Sequence, residues 1–120
     1  MTVGGHRPER VAEEIRNEVS LLLAGELKDP RLALPLLVTE VRVAPGMRQV
    51  RVYVQLEGSD EERAAALKGL HAAAGFIRHE LVARLQLRRA PEVLFLVDES
   101  EDYGRHIDEL LQRVKQPGKS

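Results

Sequence analysis

The spacing of apolar residues divides the chain into helical and extended segments. Val11, Ile15, Val19 and Leu22/Leu23 recur at intervals of three and four, with Glu9, Glu13, Glu14 and Arg16 between them. This predicts an amphipathic helix over residues 8–27. Pro8 suits its first turn, where an amide would lack a partner anyway, and Asp29-Pro30 stops it. Residues 31–35 read as a loop. Two alternating runs follow. In 36–43, Leu37, Thr39, Val41 and Val43 fall on one face; in 49–56, Val50, Val52, Val54 and Leu56 do, with Arg51, Tyr53 and Gln55 opposite. Period two predicts half-buried strands, and Ala44-Pro45-Gly46-Met47 supplies a turn between them. The pair reads as an antiparallel hairpin with Arg42 and Arg51 on its wet face.

Ser59 with Glu62 three residues later matches a capping box, in which each side chain takes an orphan amide of the first helical turn. Behind it, Leu67, Leu70, Ala74, Ile77, Leu81 and Leu85 form an apolar stripe. One helix over 60–85 would be long for so small a domain. Ala73-Ala74-Gly75 sits midway, and glycine inside a helix costs ~1 kcal/mol against alanine. The expectation is two consecutive helices joined at a kink over residues 73–75. Val93-Leu94-Phe95-Leu96-Val97 is apolar throughout, which predicts a strand buried on both faces and central in its sheet. A last helix is predicted over 103–114, with Ile107, Leu110, Leu111 and Val114 on its apolar side.

These elements form one domain over residues 7–114, flanked by flexible ends at 1–6 and 115–120. The fold class is α+β, with helices on one face of a three-stranded sheet. Without the C-terminal helix, the order α-β-β-α-α-β is that of a type II KH domain. KH domains clamp single-stranded nucleic acid with a GxxG loop between two consecutive helices. No GxxG occurs in this chain; Ala73-Ala74-Gly75 stands at the corresponding place.

Composition narrows the chemistry. The chain of 120 residues has no cysteine, which removes disulfides and thiolate metal sites. No apolar run approaches the ~18 residues of a membrane span, and residues 1–10 hold no apolar secretory core. His6, His71, His79 and His106 are dispersed without metal-ligand spacing. Ser59 and Ser100 read as caps rather than nucleophiles, so no enzyme is predicted. The formal net charge of −1 conceals segregation. Arg42, Arg48 and Arg51 share 41–52 with no acid; Arg78, Arg84, Arg88 and Arg89 share 75–91 with Glu80 alone. Acids gather at Glu57, Asp60, Glu61 and Glu62, and again at Asp98, Glu99, Glu101 and Asp102. On an ideal helix Arg78 and Arg84 lie ~120° apart, flanking the apolar stripe. A basic patch therefore requires tertiary convergence with Arg88 and Arg89.

Five motifs in order carry a resemblance. They are Arg7-x-x-Arg10-Val11 with Ile15, Glu18 and Leu22; Leu27-Lys28-Asp29-Pro30-Arg31-Leu32; the hairpin residues Val38-Thr39, Val43, Pro45, Arg48 and Val52-Tyr53-Val54; Ala73-Ala74-Gly75-Phe76-Ile77-Arg78 followed by Glu80-Leu81, Arg84-Leu85, Leu87-Arg88 and Pro91-Glu92; and Asp98-x-Ser100 with Gly104, Ile107, Leu110 and Leu111. Over roughly residues 7–114 the chain resembles the bacterial ribosome-binding factor A family. The resemblance implies a KH-like domain whose GxxG is replaced by the Ala73-Ala74-Gly75 kink. It implies a cytoplasmic, monomeric, non-enzymatic assembly factor without cofactor, metal or membrane contact. Its partners would be the free small (30S) ribosomal subunit, 16S rRNA and its precursor, with ribosomal proteins as further candidates, and its role the maturation of the precursor's 5′ region. Resemblance and charge together select Arg78, Arg84, Arg88, Arg89, Lys28, Arg31, Arg7, Arg10 and Arg48 as RNA-binding residues. Pro45-Gly46-Met47 departs from the family's usual Pro-Asp-Leu. The alternative is a small α+β adaptor that binds only protein, through the wet sheet face or the acidic segment 98–102.

Overall fold

Val50, Val52, Val54 and Leu56 alternate along β2 (Gln49–Leu56), and all four are buried while Arg51 between them is exposed. The computed structural model describes residues 8–25 and 27–99. Around β2 it places α1 (Pro8–Gly25), β1 (Leu36–Val43), α2 (Asp60–Leu85) and β3 (Glu92–Val97), with short 3-10 turns at Pro30–Leu32 and Pro45–Met47. The predicted helix over 103–114, both flexible ends, Arg7 and Ser100 lie outside the described residues.

The sheet order is β1-β2-β3, antiparallel between β1 and β2 and parallel between β2 and β3. So β2 is central, and the expectation that β3 is central is corrected. A central strand needs hydrogen bonds on both edges, not apolar side chains on both faces. On β3 only Val93 and Phe95 are buried; Leu94 is half-buried, and Leu96 is 37% exposed on the uncovered face. A second correction falls on β1. Its pairing with β2 slips between Val38 and Glu40, a bulge that leaves Thr39 unpaired. Val38 and Val41 are therefore both buried, and Leu37 turns outward instead of sharing a face with Val41. Arg42 and Arg51 do face each other on the wet side, as expected.

Both helices cover the opposite face. Val11, Ile15, Val19 and Leu22 of α1 and Ala66, Leu70, Ile77 and Leu81 of α2 join the inward valines and Phe95 in one core. α2 opens with the expected capping box. Glu62 N–H donates to Ser59 Oγ at 3.1 Å, and Ser59 N–H donates to Glu62 Oε1 at 2.9 Å. It then runs unbroken for 26 residues through Ala73-Ala74-Gly75, which corrects the expectation of two helices joined there. The buried residues on both sides of Gly75 are anchored in the same core. Separating them would cost far more than the ~1 kcal/mol of helix propensity that glycine forfeits.

The two glycines of α2 in this region differ. A Cβ on Gly75 would meet nothing within 4 Å, whereas one on Gly69 would stand 3.3 Å from Asp29 Oδ2 and from Leu32 Cδ2. Gly69 thus lets the 3-10 turn sit against α2. Gly75→Ala should raise stability by about 0.5–1 kcal/mol. Gly69→Ala should gain less or lose stability, as read from denaturant midpoints of the two variants. The capping box adds a pH dependence. The bond from the Ser59 N–H, helped by the Ser59 hydroxyl, holds the Glu62 carboxyl below its ordinary value. A carboxylate depressed in the folded state stabilises it above the unfolded pKa, and that contribution disappears as pH falls through the folded value. Wild type should therefore lose stability faster than Glu62→Gln below about pH 5, seen as converging urea midpoints.

Candidate nucleic-acid interface

One end of the sheet is built from the β1–β2 turn and the α2–β3 loop. In the turn, Met47 N–H donates to Ala44 O at 3.0 Å and Ala44 N–H to Gln49 O at 2.9 Å. Gly46 adopts φ +73°, a left-handed backbone that favours glycine. Arg48 follows, its side chain exposed and its carbonyl accepting Glu92 N–H at 2.9 Å. That bond clips the hairpin tip to the start of β3. On the other side, α2 closes on Gln86 in the left-handed conformation, with its N–H bonded to Val82 O. Leu87 N–H reaches the same carbonyl at 3.1 Å, and the Leu87 side chain is buried. Pro91 is buried too. Between these two anchors Arg88 and Arg89 stand exposed, so the helix does end before Arg88. Neither they nor Arg48 form an ion pair with any described residue.

The remaining arginines and lysine chosen from the sequence are distributed differently. Arg84 bonds Glu18 Oε2 of α1 at 3.3 Å and Glu80 Oε1 at 3.2 Å, tying the two helices together. Arg78 is exposed on α2, six residues before it. Arg10, exposed near the start of α1, stands 3.8 Å from Glu14 Oε1. Lys28 and Arg31 precede β1 and so lie at the opposite end of the sheet from Arg48. An eight-residue strand puts those ends roughly 26 Å apart. Arg31 is also committed internally: its Nη2 lies 2.6 Å from Asp29 Oδ2, and Asp29 caps the 3-10 turn through Arg31 N–H. The hydrogen bonds to Arg31 hold the Asp29 carboxyl below its ordinary value, and those to Asp29 hold the Arg31 guanidinium above its own. The Lys28 to Arg31 end is also where β2 ends, α2 begins and β3 finishes, so Glu57, Asp60, Glu61, Glu62, Asp98 and Glu99 gather there. The blocks of charge in the sequence thus become two poles of the fold.

Phe76 was not apparent as a functional candidate in the sequence. It is 43% exposed beside Gly75, on a stretch of α2 where Ala72, Gly75 and His79 are exposed too. The signal was present, since Phe76 falls off the stripe formed by Leu70, Ile77 and Leu81. Gly75 gives that surface a backbone with nothing above it.

A three-stranded mixed sheet with both described helices on one face, in this order, defines a small α+β protein of the KH-like class. A family model described as "Ribosome-binding factor A" matches residues 7–111. A Koribacter versatilis protein named ribosome-binding factor A is 47% identical over 115 residues, covering 96% of this chain and 93% of that one. The crystal structure of ribosome-binding factor A from Thermus thermophilus superposes with a TM-score of 0.67 at 27% identity, covering 77% of this chain and 97% of that one. A homology model of Thermus thermophilus ribosome binding factor A, fitted into the cryo-EM map of a 30S–RbfA complex, gives 0.57 at 27% identity, covering 79% and 94%. The chain belongs to the ribosome-binding factor A family.

Arginines that serve the fold and arginines that are free of it should separate by stability. Arg84→Ala removes a tie to Glu18 and Glu80 and should cost about 0.5–1 kcal/mol. The double change Arg88→Ala, Arg89→Ala should stay within about 0.5 kcal/mol of wild type. Urea unfolding followed by circular dichroism measures both.

Proposed function

We propose that this protein is a cytoplasmic, non-enzymatic ribosome assembly factor that binds the free small subunit. It contacts 16S rRNA or its precursor through the end of the sheet that carries Arg48, Arg88 and Arg89. The observation that carries the reading is that these three arginines, unpaired among the described residues, stand on two turns joined by the Arg48 O to Glu92 N–H bond, with the Glu92 carboxylate taken up by Gln49 Nε2 and the acidic blocks at the far end. Guanidinium groups on short anchored loops suit phosphate oxygens, which they grip through paired N–H donors. The acidic pole orients the protein by repelling the same backbone, so a net charge near zero does not oppose RNA binding. The 30S complex of the Thermus thermophilus relative supports the choice of partner. Family membership supports a role in maturing the 5′ region of the precursor.

On this reading Arg78 and the Gly75–Phe76 surface of α2 extend the contact. Gly75 admits a sugar-phosphate backbone close to the helix, and the Phe76 ring offers a stacking face. Arg10 belongs to the outer edge of the interface, and Arg7 is a further RNA contact on the resemblance alone. Lys28 and Arg31, at the acidic end, contribute least, and Arg84 acts by holding α1 to α2. The protein works as a monomer and needs no cofactor.

Binding to phosphates releases counterions, so log affinity falls linearly with log salt. The variant Arg88→Glu, Arg89→Glu should bind free small subunits much more weakly than wild type. Its log–log salt slope should be shallower by about 0.7–0.9 for each phosphate that is no longer neutralised. Arg31→Ala should leave that slope unchanged. Circular dichroism controls for folding. A folded double variant with wild-type affinity and slope would remove the RNA role and favour the protein-only adaptor.

A further inference from the structure

Leu21 and Leu37 are the most exposed large apolar side chains among the described residues, at 61% and 59%. Leu37 lines a groove of about 260 Å³ between the last turns of α1 and the start of β1, and Leu21 follows Ser20, which lines it too. Leu37 lines it together with Ser20, Leu23, Leu32, Leu34, Leu36 and Val38. The side chains that line it are aliphatic apart from Ser20, and Leu21 stands on the same turn of α1. Two leucines exposed this far beside one groove suit an apolar segment laid over them.

The path of the chain identifies the occupant. Val97 pairs with Val54, and Asp98 N–H continues that ladder to Val54 O at 2.7 Å. The Asp98 side chain then reaches across β2 to β1, where Thr39 Oγ1 donates to Asp98 Oδ2 at 2.6 Å. Thr39 adjoins Val38, which lines the groove. The chain thus leaves the sheet beside the groove's mouth. The sequence beyond it carries Tyr103, Ile107, Leu110, Leu111 and Val114, one stripe at helical spacing. Five extended residues from Asp98 span about 16 Å, and twelve helical residues about 18 Å. That is sufficient to cross from Val38 to the turn of α1 at Ser20. Lys28 is exposed at the same end, with no ion pair to any described residue, and Asp108 and Glu109 beside the stripe offer it carboxylates.

We propose that residues 103–114 of this chain form a helix that docks in the α1–β1 groove, covering Leu21 and Leu37. The docked segment completes the core on the side where β1 has no neighbouring strand. It leaves the Arg48, Arg88 and Arg89 end of the sheet open.

The absence of native cysteine makes a cross-link a clean test. Ser20→Cys is paired in the full chain with Ile107→Cys, Leu111→Cys or Val114→Cys. The controls pair the same three with Pro45→Cys, exposed in the β1–β2 turn at the opposite end of the sheet. Under mild oxidation at least one Ser20 pair should close within a single chain, at least tenfold faster than its control. Disulfides forming only between chains would assign the groove to a second copy, and rates equal to the controls would leave the segment undocked; either result overturns the proposal. An independent measurement uses Leu110→Asp, Leu111→Asp. Its amide resonances should shift at Ser20 to Leu23 and Leu36 to Val38 relative to wild type, while those at Arg88 and Arg89 hold. Unchanged groove resonances would overturn the proposal as well.

Discussion

A parallel pair of strands cannot be joined by a tight turn, and the pairing of β2 with β3 governs the rest of this molecule. The chain must leave one end of β2 and return to the other end of the sheet before β3 can begin. α2 makes that journey in 26 residues, about 39 Å of helix. The long helix is therefore a consequence of sheet topology. The crossover delivers the Arg88–Arg89 loop beside the hairpin tip, and the Arg48 O to Glu92 N–H bond closes the junction. The same topology brings the end of β2, the start of α2 and the end of β3 together, which collects the carboxylates at the other pole.

Within this frame the basic residues divide by what they touch. Arg31 and Asp29 form a small closed unit that caps a 3-10 turn and rests against Gly69. Arg84 links α1 to α2 through Glu18. Arg42 pairs with Glu40 and lies over the Tyr53 ring, 5.4 Å from its centroid, on the wet face of the sheet. The charge of each is answered within the fold. Arg48, Arg88 and Arg89 carry charges that no described residue answers, held on loops whose flanking residues are buried or hydrogen-bonded. Under the proposed function, loops held in this way would keep their shape without a ligand, so little ordering entropy would oppose binding.

The KH-like architecture also shows how a continuous helix can stand where the clamp of a KH domain lies. Alanine and glycine at 73–75 keep the surface of α2 low there without breaking its hydrogen bonds. The helix retains a flat approach beside an exposed aromatic ring and gives up the loop that a GxxG would form.

Much of this was determined locally and so could be read from the chain. The span of α1, the hairpin turn, the Ser59–Glu62 capping box and the end of the second helix before Arg88 each depend on residues within a few positions of one another. The assignment to an α+β, KH-like class followed from their order, and the family from motifs spread along the chain. Three features were decided only in three dimensions. The bulge at Thr39 arises from fitting β1 to β2 and inverts the facing of Leu37. The central position of β2 depends on which strands pair, which an apolar run such as 93–97 does not specify. The continuity of α2 depends on anchoring both sides of Gly75 in one core, a cooperative contribution that local propensity cannot register. The candidate site shows the same division. Arginine content and the end of α2 were visible in sequence, but Arg84 and Arg88, four residues apart, acquired different roles because Glu18 of another helix lies within reach of only one.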